Sequence, residues 1–331
     1  MKKYKLFAIA AALTSVMVLT ACGGGAAQTT PVPVAEESAV EMPVEEEPVV
    51  EEPAVEEPVA EEVAPEPEFS DASDFNTAMP IAVISREDGS GTRGAFIELL
   101  GIERDGIDHT FAEADIQNGT SAVITSVAGN TYAIGYISLG SLNDTVSAVS
   151  IDGVPATPAT VQDGSYPIFR AFYFAVGDLT AEAQDFLNFV LSAEGQATVA
   201  SRGYISVDAS ALAFEAADVS GTVVITGSTS VFPIVELLAE QYGAINPNVN
   251  IEVHSTGSSA GITAARDGTA DLGMTSRSLN DAELAEVAAV EIAYDGLAVI
   301  VNNDNPLSTI SAEEVRQVFE GEIFNWSNFL N

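Results

Sequence analysis

Three short loops rich in glycine and hydroxyl residues constrain the fold of this chain more than any other feature. They are residues 88–92 (Asp-Gly-Ser-Gly-Thr), 227–230 (Gly-Ser-Thr-Ser) and 257–259 (Gly-Ser-Ser). Each follows an apolar run typical of a β-strand and precedes a run typical of a helix. Such a junction directs backbone N–H groups and hydroxyls at one point, with the positive end of a helix dipole behind them. With Arg86 beside one loop and Arg277 downstream of another, the pattern predicts a pocket for a small tetrahedral oxyanion.

Strand-like and helix-like runs alternate along residues 78–331. This alternation predicts an α/β fold with mainly parallel sheets, and the roughly 250 residues are enough for two lobes. The predicted strands are 81–85, 132–138, 223–226, 250–253 and 297–302. The predicted helices are 92–100, 181–192, 231–243, 259–267, 281–287 and 312–319.

The first 77 residues have the character of a leader and a stalk. Three lysines among the first five residues precede an apolar stretch that is short for a membrane span and ends at the chain's one cysteine, Cys22. This pattern is typical of a bacterial lipoprotein signal over residues 1–22, with Cys22 as the lipidation site. An ordinary secretory signal with a chance cysteine is the alternative. Residues 23–77 are rich in Glu and Pro and lack Lys and Arg, which predicts a disordered, extended stalk.

The charge balance excludes one class of partner. The net charge is −38, and a nucleic-acid-binding protein needs a basic face instead. An anion site is still compatible with this charge. Fields from exposed carboxylates are damped within ~10 Å at 0.1 M salt, whereas donors that line a closed cleft act at contact distance.

Two of the loops also fit motifs of other protein classes. Residues 89–94 fit the G-x-G-x-x-G of dinucleotide-binding loops, but the Arg-Glu-Asp before them is not an apolar strand end. Residues 257–261 fit the G-x-S-x-G of serine hydrolases, which would make Ser259 the nucleophile. A hydrolase of that type needs a later histidine, and His109 and His254 both come earlier. The sequence indicates no metal site and no cofactor.

Several segments together resemble the phosphate-binding lipoprotein of ABC-type phosphate importers. They cover essentially all of residues 80–331, and the match is specific because the motifs are far apart. The segments are 85–92 (Ser-Arg-Glu-Asp-Gly-Ser-Gly-Thr), 133–137 (Ala-Ile-Gly-Tyr-Ile), 183–207, 227–233 (Gly-Ser-Thr-Ser-Val-Phe-Pro), 256–262 (Thr-Gly-Ser-Ser-Ala-Gly-Ile), 271–277 (Asp-Leu-Gly-Met-Thr-Ser-Arg), 295–302 (Asp-Gly-Leu-Ala-Val-Ile-Val-Asn) and 321–326 (Gly-Glu-Ile-Phe-Asn-Trp). The resemblance implies a type II periplasmic-binding fold, in which the ligand lies in a cleft between two α/β lobes.

The order of the segments departs from the family. In the usual member the Gly-Ser-Thr segment precedes the Arg-x-Asp-Gly-Ser-Gly-Thr segment. Here residues 80–207 resemble the later half of the family, and residues 220–331 resemble the earlier half. Neither half is duplicated, so we predict a circular permutation. A truncated tandem chain is the alternative.

The resemblance also implies where the lobes lie. Two crossing strands should connect them, near residues 169–176 and 295–301. Lobe A would then be contiguous over residues 171–296. Lobe B would combine residues 78–170 with residues 297–331, which places both ends of the folded part in one lobe.

The site residues follow from the same motifs. The implied phosphate ligands are Thr229, Ser230, Phe232, Gly257, Ser258, Ser259, Ser276, Arg277, Arg86, Ser90, Gly91 and Thr92, with Asp88 orienting Arg86. Some family members carry an Asp that accepts the proton of bound hydrogen phosphate, but this chain has Ser276 and Arg277 there. Rejection of sulfate by that route is therefore in doubt. Arg277 either adds positive charge to the pocket or lies on the lobe surface.

The resemblance implies a function for the whole chain. It would be a monomeric, lipid-anchored receptor on the outer face of the cell membrane that captures inorganic phosphate and hands it to the importer's permease. It would not be an enzyme. The alternatives are a receptor for another oxyanion, such as sulfate or molybdate, and a surface phosphate sensor or adhesin with no role in transport.

Overall fold

A computed structural model describes residues 75–330 of the 331-residue chain. The predicted leader, the lipidation site Cys22 and nearly all of the predicted stalk lie outside the described residues. Across residues 75–330, none of the helices has the length and apolar character needed to cross a lipid bilayer.

The described residues contain thirteen strands and nine α-helices. The strands are β1 (Ala82–Arg86), β2 (Glu103–Arg104), β3 (Ile107–Asp108), β4 (Asp115–Gln117), β5 (Ala133–Ser138), β6 (Val146–Ala148), β7 (Ser150–Ile151), β8 (Phe169–Val176), β9 (Gly221–Gly227), β10 (Val249–Ser255), β11 (Leu272–Thr275), β12 (Ala288–Asn302) and β13 (Thr309–Ile310). The helices are α1 (Gly91–Leu99), α2 (Thr120–Ala128), α3 (Pro158–Gln162), α4 (Ala181–Val190), α5 (Ala193–Ser201), α6 (Phe232–Ile245), α7 (Ser258–Arg266), α8 (Asp281–Leu284) and α9 (Ala312–Phe319).

The main sheet runs in the order β10-β9-β11-β8-β12-β5-β1-β4, with β6 added to β12. Strand β9 is parallel to β10 and β11, and β1 is parallel to β4 and β5. Strands β8 and β12 run antiparallel to each other and to their other neighbours in the sheet. The predicted α/β fold is therefore confirmed. The expectation of mainly parallel sheets is wrong, because each of the two central strands, β8 and β12, is antiparallel to both of its neighbours in the sheet order.

The predicted elements are all present, and most boundaries shift by no more than three residues. The exception is β12, predicted from residue 297, which begins at Ala288. Its first half pairs with β8 from Ala288 opposite Val176 to Gly296 opposite Phe169. This pairing is a long-range contact, and the local sequence carries no sign of it.

Buried apolar side chains form two main cores. The first core draws on residues 81–168 and 297–326, and the second core draws on residues 172–293. The chain passes from the first to the second through β8 and returns through β12, and these strands coincide with the implied crossings. The predicted division into two lobes that move relative to each other stays a prediction.

The two ends of the described chain lie side by side. Pro80 forms a β-bridge with Asn325, and the N–H of Ile81 donates to the carbonyl of Phe324 over 2.8 Å. Nearby, the N–H of Ser327 donates to the carbonyl of Thr77 over 2.8 Å. Adjacent, exposed ends are the geometry in which circular permutation is tolerated. The permutation itself stays a prediction.

A rearranged chain tests that prediction. Residues 208–220 form a largely exposed connection with no helix or strand between α5 and β9. A protein that starts at Ala209, joins residue 330 to residue 75 through a short Gly-Ser linker and ends at Asp208 should fold to the same structure, because it keeps Phe214, which packs against the second core. We expect its free energy of unfolding to lie within about 2 kcal/mol of the parent, since loop closure costs change slowly with length.

Thermal unfolding and phosphate titration would check the rearranged protein. A control opened between Phe172 and Tyr173, inside β8, should fail to fold because the cut breaks the pairing with β11 and β12. Loss of folding in the rearranged protein as well would count against permutation.

Candidate functional site

Two loops of the first core start helices at the same edge of the sheet. Strands β1 and β4 are parallel neighbours, so their carboxyl ends meet. Ser90 caps α1 after β1, and its side chain accepts from the N–H of Arg93. Gly119 precedes α2 after β4 and has φ 88°, a conformation that glycine adopts without strain. The N-termini of α1 and α2 therefore open side by side.

Two loops of the second core do the same. Strands β9 and β10 are parallel neighbours that end at Gly227 and Ser255. A Cβ atom at Gly227 would lie 2.2 Å from the carbonyl oxygen of Met274, so only glycine fits there. The N–H of Gly257 donates to the carbonyl of Gly227 over 2.8 Å, which joins the two loops. Helices α6 and α7 begin just beyond them.

Hydroxyl groups from the two cores meet directly. The Oγ1 of Thr92, at the start of α1, lies 2.7 Å from the Oγ of Ser230 before α6. The Oγ1 of Thr120, at the start of α2, lies 3.2 Å from that of Thr229 and 3.3 Å from the Oγ of Ser230. Thr92 and Ser230 are almost fully buried. Four helix N-termini thus converge where the cores face each other.

Three further serines of the second half of the chain lie beside these hydroxyl groups. The hydroxyl of Ser228 donates to the Oγ of Ser276 over 2.9 Å, and the N–H of Ser276 donates to the Oγ of Ser258 over 3.2 Å. A Cβ atom at Gly91 would lie 2.3 Å from the Oγ of Ser258 and 2.8 Å from that of Ser276. Gly91 is thus the point where the first core approaches the serines most closely.

Arg86 supplies the charge at this junction. It is 1% exposed. Its Nε and Nη2 each bind a carboxylate oxygen of Glu87 at 2.7 Å, and Nη2 also donates to the Oγ1 of Thr229 over 2.9 Å. Its Nη1 is buried and has no hydrogen-bond partner among the described residues. A buried charged donor without an acceptor is costly, so this atom marks a place for an anion oxygen.

Glu87 is held in its ionised form. Burial alone would raise its pKa, but the hydrogen bonds and charge of Arg86 outweigh burial, and the N–H of Gly119 adds to them. The net result is a pKa below the ordinary value of 4.5. Because the charges of Arg86 and Glu87 largely neutralise each other, an anion at this junction would be stabilised mainly by the dipoles of N–H and hydroxyl groups.

The lowered pKa of Glu87 predicts a pH-dependent stability. A carboxyl whose pKa falls on folding stabilises the protein above its unfolded pKa, and this stability is lost as the pH drops through the folded value. We expect the wild type to unfold at a higher temperature than Glu87→Gln at pH 7, and the difference to shrink below pH 4.5. Thermal unfolding between pH 7 and pH 3 would check this. A difference that stays constant with pH, or one matched by the exposed Glu103→Gln, would contradict it.

Two predicted site residues have other roles. The Asp88 side chain is 99% exposed and pairs with Arg93 over 3.0 Å, so the prediction that it orients Arg86 is wrong. Glu87 takes that place. Arg277 makes two bonds of 2.8 Å to Glu283, which offsets its charge, and its Nη2 reaches the Oγ of Ser259 over 3.3 Å. The charge of Arg277 is therefore not free for an anion.

The remaining predicted residues lie in or beside the junction. Gly257 and Ser259 belong to the start of α7, and the N–H of Ser259 donates to the carbonyl of Gly89 over 3.1 Å. Phe232 is partly buried against the second core and lines a neighbouring groove of 710 Å³. Sequence reasoning missed Glu87, Gly119, Thr120 and Ser228. The pair Gly119-Thr120 repeats the glycine–hydroxyl signal, but only the three-residue, largely exposed β4 precedes it.

The geometry does not support the serine-hydrolase interpretation of residues 257–261. The Oγ of Ser259, the serine of the hydrolase motif, accepts from the Nη2 of Arg277, and no histidine forms a hydrogen bond with it among residues 75–330. Both histidines are exposed, and the Nε2 of His254 lies 4.0 Å from a carboxylate oxygen of Glu252 in the same strand, β10. Among residues 75–330, no group of three or more His, Cys, Asp or Glu side chains is arranged to hold a metal ion.

Comparisons with known proteins agree with this geometry. The PBP superfamily domain matches residues 67–194 and 213–331. Phosphate-binding protein PstS 2 of Streptococcus pneumoniae is 46% identical over 262 residues, covering 78% of this chain and 90% of the relative. Phosphate-binding protein PstS 2 of Streptococcus agalactiae is 43% identical over 267 residues, covering 78% and 91%.

A solved structure is similar along the same length. The crystal structure of a phosphate-binding protein of a phosphate ABC transporter from Streptococcus pneumoniae aligns with a TM-score of 0.62 and 46% identity. The alignment covers 75% of this chain and 99% of that one. The chain is therefore similar to these streptococcal relatives along most of its length and theirs.

Proposed function

The chain belongs to the PBP superfamily and, within it, to the phosphate-binding proteins of the PstS type, and on this premise we propose that it captures inorganic phosphate for an ABC-type importer. The observation that carries the proposal is the unpartnered Nη1 of Arg86, enclosed where four helix N-termini converge. A compact anion with acceptor oxygens on all sides fits this arrangement.

Capture would work by enclosure, and no covalent bond would be made or broken. The two cores close on the anion, and N–H and O–H donors replace its hydration shell. Arg86 gives one charge-assisted contact, and the helix N-termini meet the remaining negative charge. The groove lined by Phe232, Thr120 and Thr229 is the route by which solvent and ligand reach the junction.

Calorimetric titration with inorganic phosphate tests the proposal. We expect one phosphate per chain with a dissociation constant on the order of 1 μM or lower. Phosphate at about a thousand times that constant should stabilise the fold by about 4 kcal/mol and raise the melting temperature. The absence of both heat and thermal stabilisation at millimolar phosphate would overturn the proposal.

A broader oxyanion specificity is a second candidate, and one observation favours it. The groups around Arg86 Nη1 are hydroxyls and N–H groups, while Glu87 and Glu283 are each bound to an arginine. A carboxylate accepts a proton from hydrogen phosphate but repels sulfate, which has none to give. A hydroxyl donates or accepts and so makes no such distinction.

Position 276 tests this specificity. We expect millimolar sulfate to compete with phosphate in the wild type, because the buried Ser276 presents a hydroxyl. Ser276→Asp should remove sulfate competition by at least about tenfold, since a like charge at contact distance repels it. The uncharged Ser276→Asn, of the same size, should not. Equal behaviour of the two variants, or a wild type indifferent to sulfate, would contradict the candidate.

The proposed location is the outer face of the membrane, with the protein held by a lipid on Cys22. The sequence pattern of residues 1–22 supports this anchor. Replacing the cysteine in Cys22→Ser should release the protein from the membrane fraction, because the acyl chains that hold it are lost. Membrane retention equal to that of the wild type would overturn the anchor and leave phosphate capture untouched.

A further inference from the structure

A buried polar cluster lies where β8 and β12 carry the chain between the cores. Arg170 and Asp295 stand opposite each other in the register of these strands. The Nη2 of Arg170 donates to the Oδ2 of Asp295 over 3.1 Å, and their side chains are 4% and 1% exposed. We call Arg170, Asp295, Ser138, Gly140 and Tyr204 the crossing cluster.

Both cores contribute to the crossing cluster. From the first core, the hydroxyl of Ser138 donates to the Oδ1 of Asp295 over 2.8 Å, and the N–H of Gly140 donates to the same oxygen over 3.4 Å. From the second core comes Tyr204, whose ring packs 5.6 Å from that of Phe172. The crossing cluster therefore connects the two cores at β8 and β12, the two strands about which the cores would rotate when the cleft opens.

The contact between Gly140 and Tyr204 leaves no room for a side chain. A Cβ atom at Gly140 would lie 2.2 Å from Cζ, 2.3 Å from Cε1 and 2.6 Å from the hydroxyl oxygen of Tyr204. Gly140 also lines the groove that Glu87, Thr120 and Thr229 line, so the contact borders the proposed ligand cleft. Glycine at this position is thus what allows the two cores to approach this closely.

The close approach leaves polar groups without partners. The hydroxyls of Tyr204 and Ser141 and the Nη1 of Arg170 are buried and have no hydrogen-bond partner among the described residues. Burial raises the pKa of Tyr204, and the nearby charge of Asp295 raises it further. Burying such groups costs free energy, and this cost disappears when the cores separate and water reaches them.

The ion pair itself adds little net stability. Burial raises the pKa of Asp295 in spite of Arg170, and it lowers the pKa of Arg170 in spite of Asp295. Desolvation thus offsets much of the attraction between the two charges. Asp295 instead fixes the position of Ser138 and Gly140, because both residues donate a hydrogen bond to its Oδ1.

We propose that Tyr204, packed against Gly140 beside the pair of Arg170 and Asp295, is a positioning residue that sets how readily the cleft closes and releases its ligand. The contact forms only in the closed arrangement, and its unpartnered groups bias the protein toward opening. A bound anion must offset that bias, so the cluster tunes affinity without touching the ligand. This inference rests on the proposed function.

Two substitutions should change affinity in opposite directions. Tyr204→Phe removes an unpartnered hydroxyl and keeps the ring, so we expect phosphate to bind about 3- to 10-fold more tightly, mainly through slower release. Gly140→Ala prevents the close approach, and we expect binding at least about 30-fold weaker. If Tyr204 contributed only to the stability of the fold, neither substitution would increase the affinity for phosphate.

Matched variants control for general effects. Tyr242→Phe removes a buried hydroxyl that donates to Asp185 over 2.8 Å, and Gly243→Ala adds a methyl group where no atom lies within 4 Å. Both should leave phosphate affinity unchanged. Affinities would come from calorimetry with inorganic phosphate, and release rates from stopped-flow displacement.

The outcomes separate this inference from the proposed function. Tighter binding by Tyr204→Phe with slower release supports the role, even if Gly140→Ala fails to fold. Unchanged or weaker binding by Tyr204→Phe overturns it. If the wild type binds no phosphate, the proposed function fails, and small-angle scattering then decides the inference. A smaller radius of gyration for Tyr204→Phe than for Tyr242→Phe supports it, and equal radii overturn it.

Discussion

Alanine at position 86 should abolish useful phosphate binding. We expect the Arg86→Ala protein to lose about 2–5 kcal/mol of binding free energy, or roughly 30- to 5,000-fold in affinity. Arg86 is 1% exposed, and its buried Nη1 has no hydrogen-bond partner among residues 75–330, so this N–H group is left to bind an anion oxygen although Glu87 offsets much of the charge. Its loss also leaves Glu87 without the arginine that compensates its charge.

Calorimetric titration with phosphate would measure this loss. Arg266→Ala is the matched control, because Arg266 pairs with Asp267 over 2.8 Å on the surface of the second half of the chain. That control should bind as the wild type does. Arg86→Lys should recover only part of the affinity, since an ammonium group cannot reproduce the planar fork that holds Glu87 and Thr229. Wild-type affinity in Arg86→Ala would disprove the site.

A single methyl group at position 91 should be almost as damaging. In Gly91→Ala the new Cβ would lie 2.3 Å from the Oγ of Ser258 and 2.8 Å from that of Ser276, distances that unstrained atoms do not adopt. Gly91 begins α1, and alanine favours helix, so the isolated first core should tolerate the change. The added methyl group instead prevents the two cores from approaching each other at Ser258 and Ser276. We expect phosphate affinity to drop by about 100-fold, with little change in melting temperature without phosphate.

Gly94→Ala is the internal control for this effect. Gly94 lies in the same helix, but a Cβ atom there meets only the Cδ of Arg277, at 3.2 Å, near the movable end of a long side chain. Phosphate affinity should stay within about threefold of the wild type, because the arginine can shift. If Gly91→Ala and Gly94→Ala bound phosphate equally well, the close approach at Gly91 would not matter for binding.

The sequence predicted the parts of the site that local chemistry specifies. The loops before α1, α6 and α7 combine glycine, hydroxyl residues and a preceding apolar run, and all three open at the junction. The fourth loop, at Gly119 and Thr120, escaped notice because β4 is short and largely exposed and therefore lacks that apolar run. Its place beside the others depends on the pairing of β4 with β1, which only the folded chain reveals.

Side-chain pairing was harder to predict than loop position. Asp88 and Glu87 are neighbours in the sequence, but in the fold Glu87 binds Arg86 while Asp88 pairs with Arg93. The role of Arg277 depends on Glu283, six residues later, whose side chain also caps α8 with Asn280. The Asn-x-x-Glu spacing was visible in the sequence, but its use to neutralise Arg277 was not.

A crystal structure of the protein grown with phosphate tests the central claim most directly. We predict one tetrahedral ion enclosed between the cores, with an oxygen within hydrogen-bond distance of the Nη1 of Arg86 and others near the hydroxyls of Ser230 and Ser258. Phosphate bound only elsewhere on the chain, with Arg86 still unpartnered at saturating ligand, would contradict it.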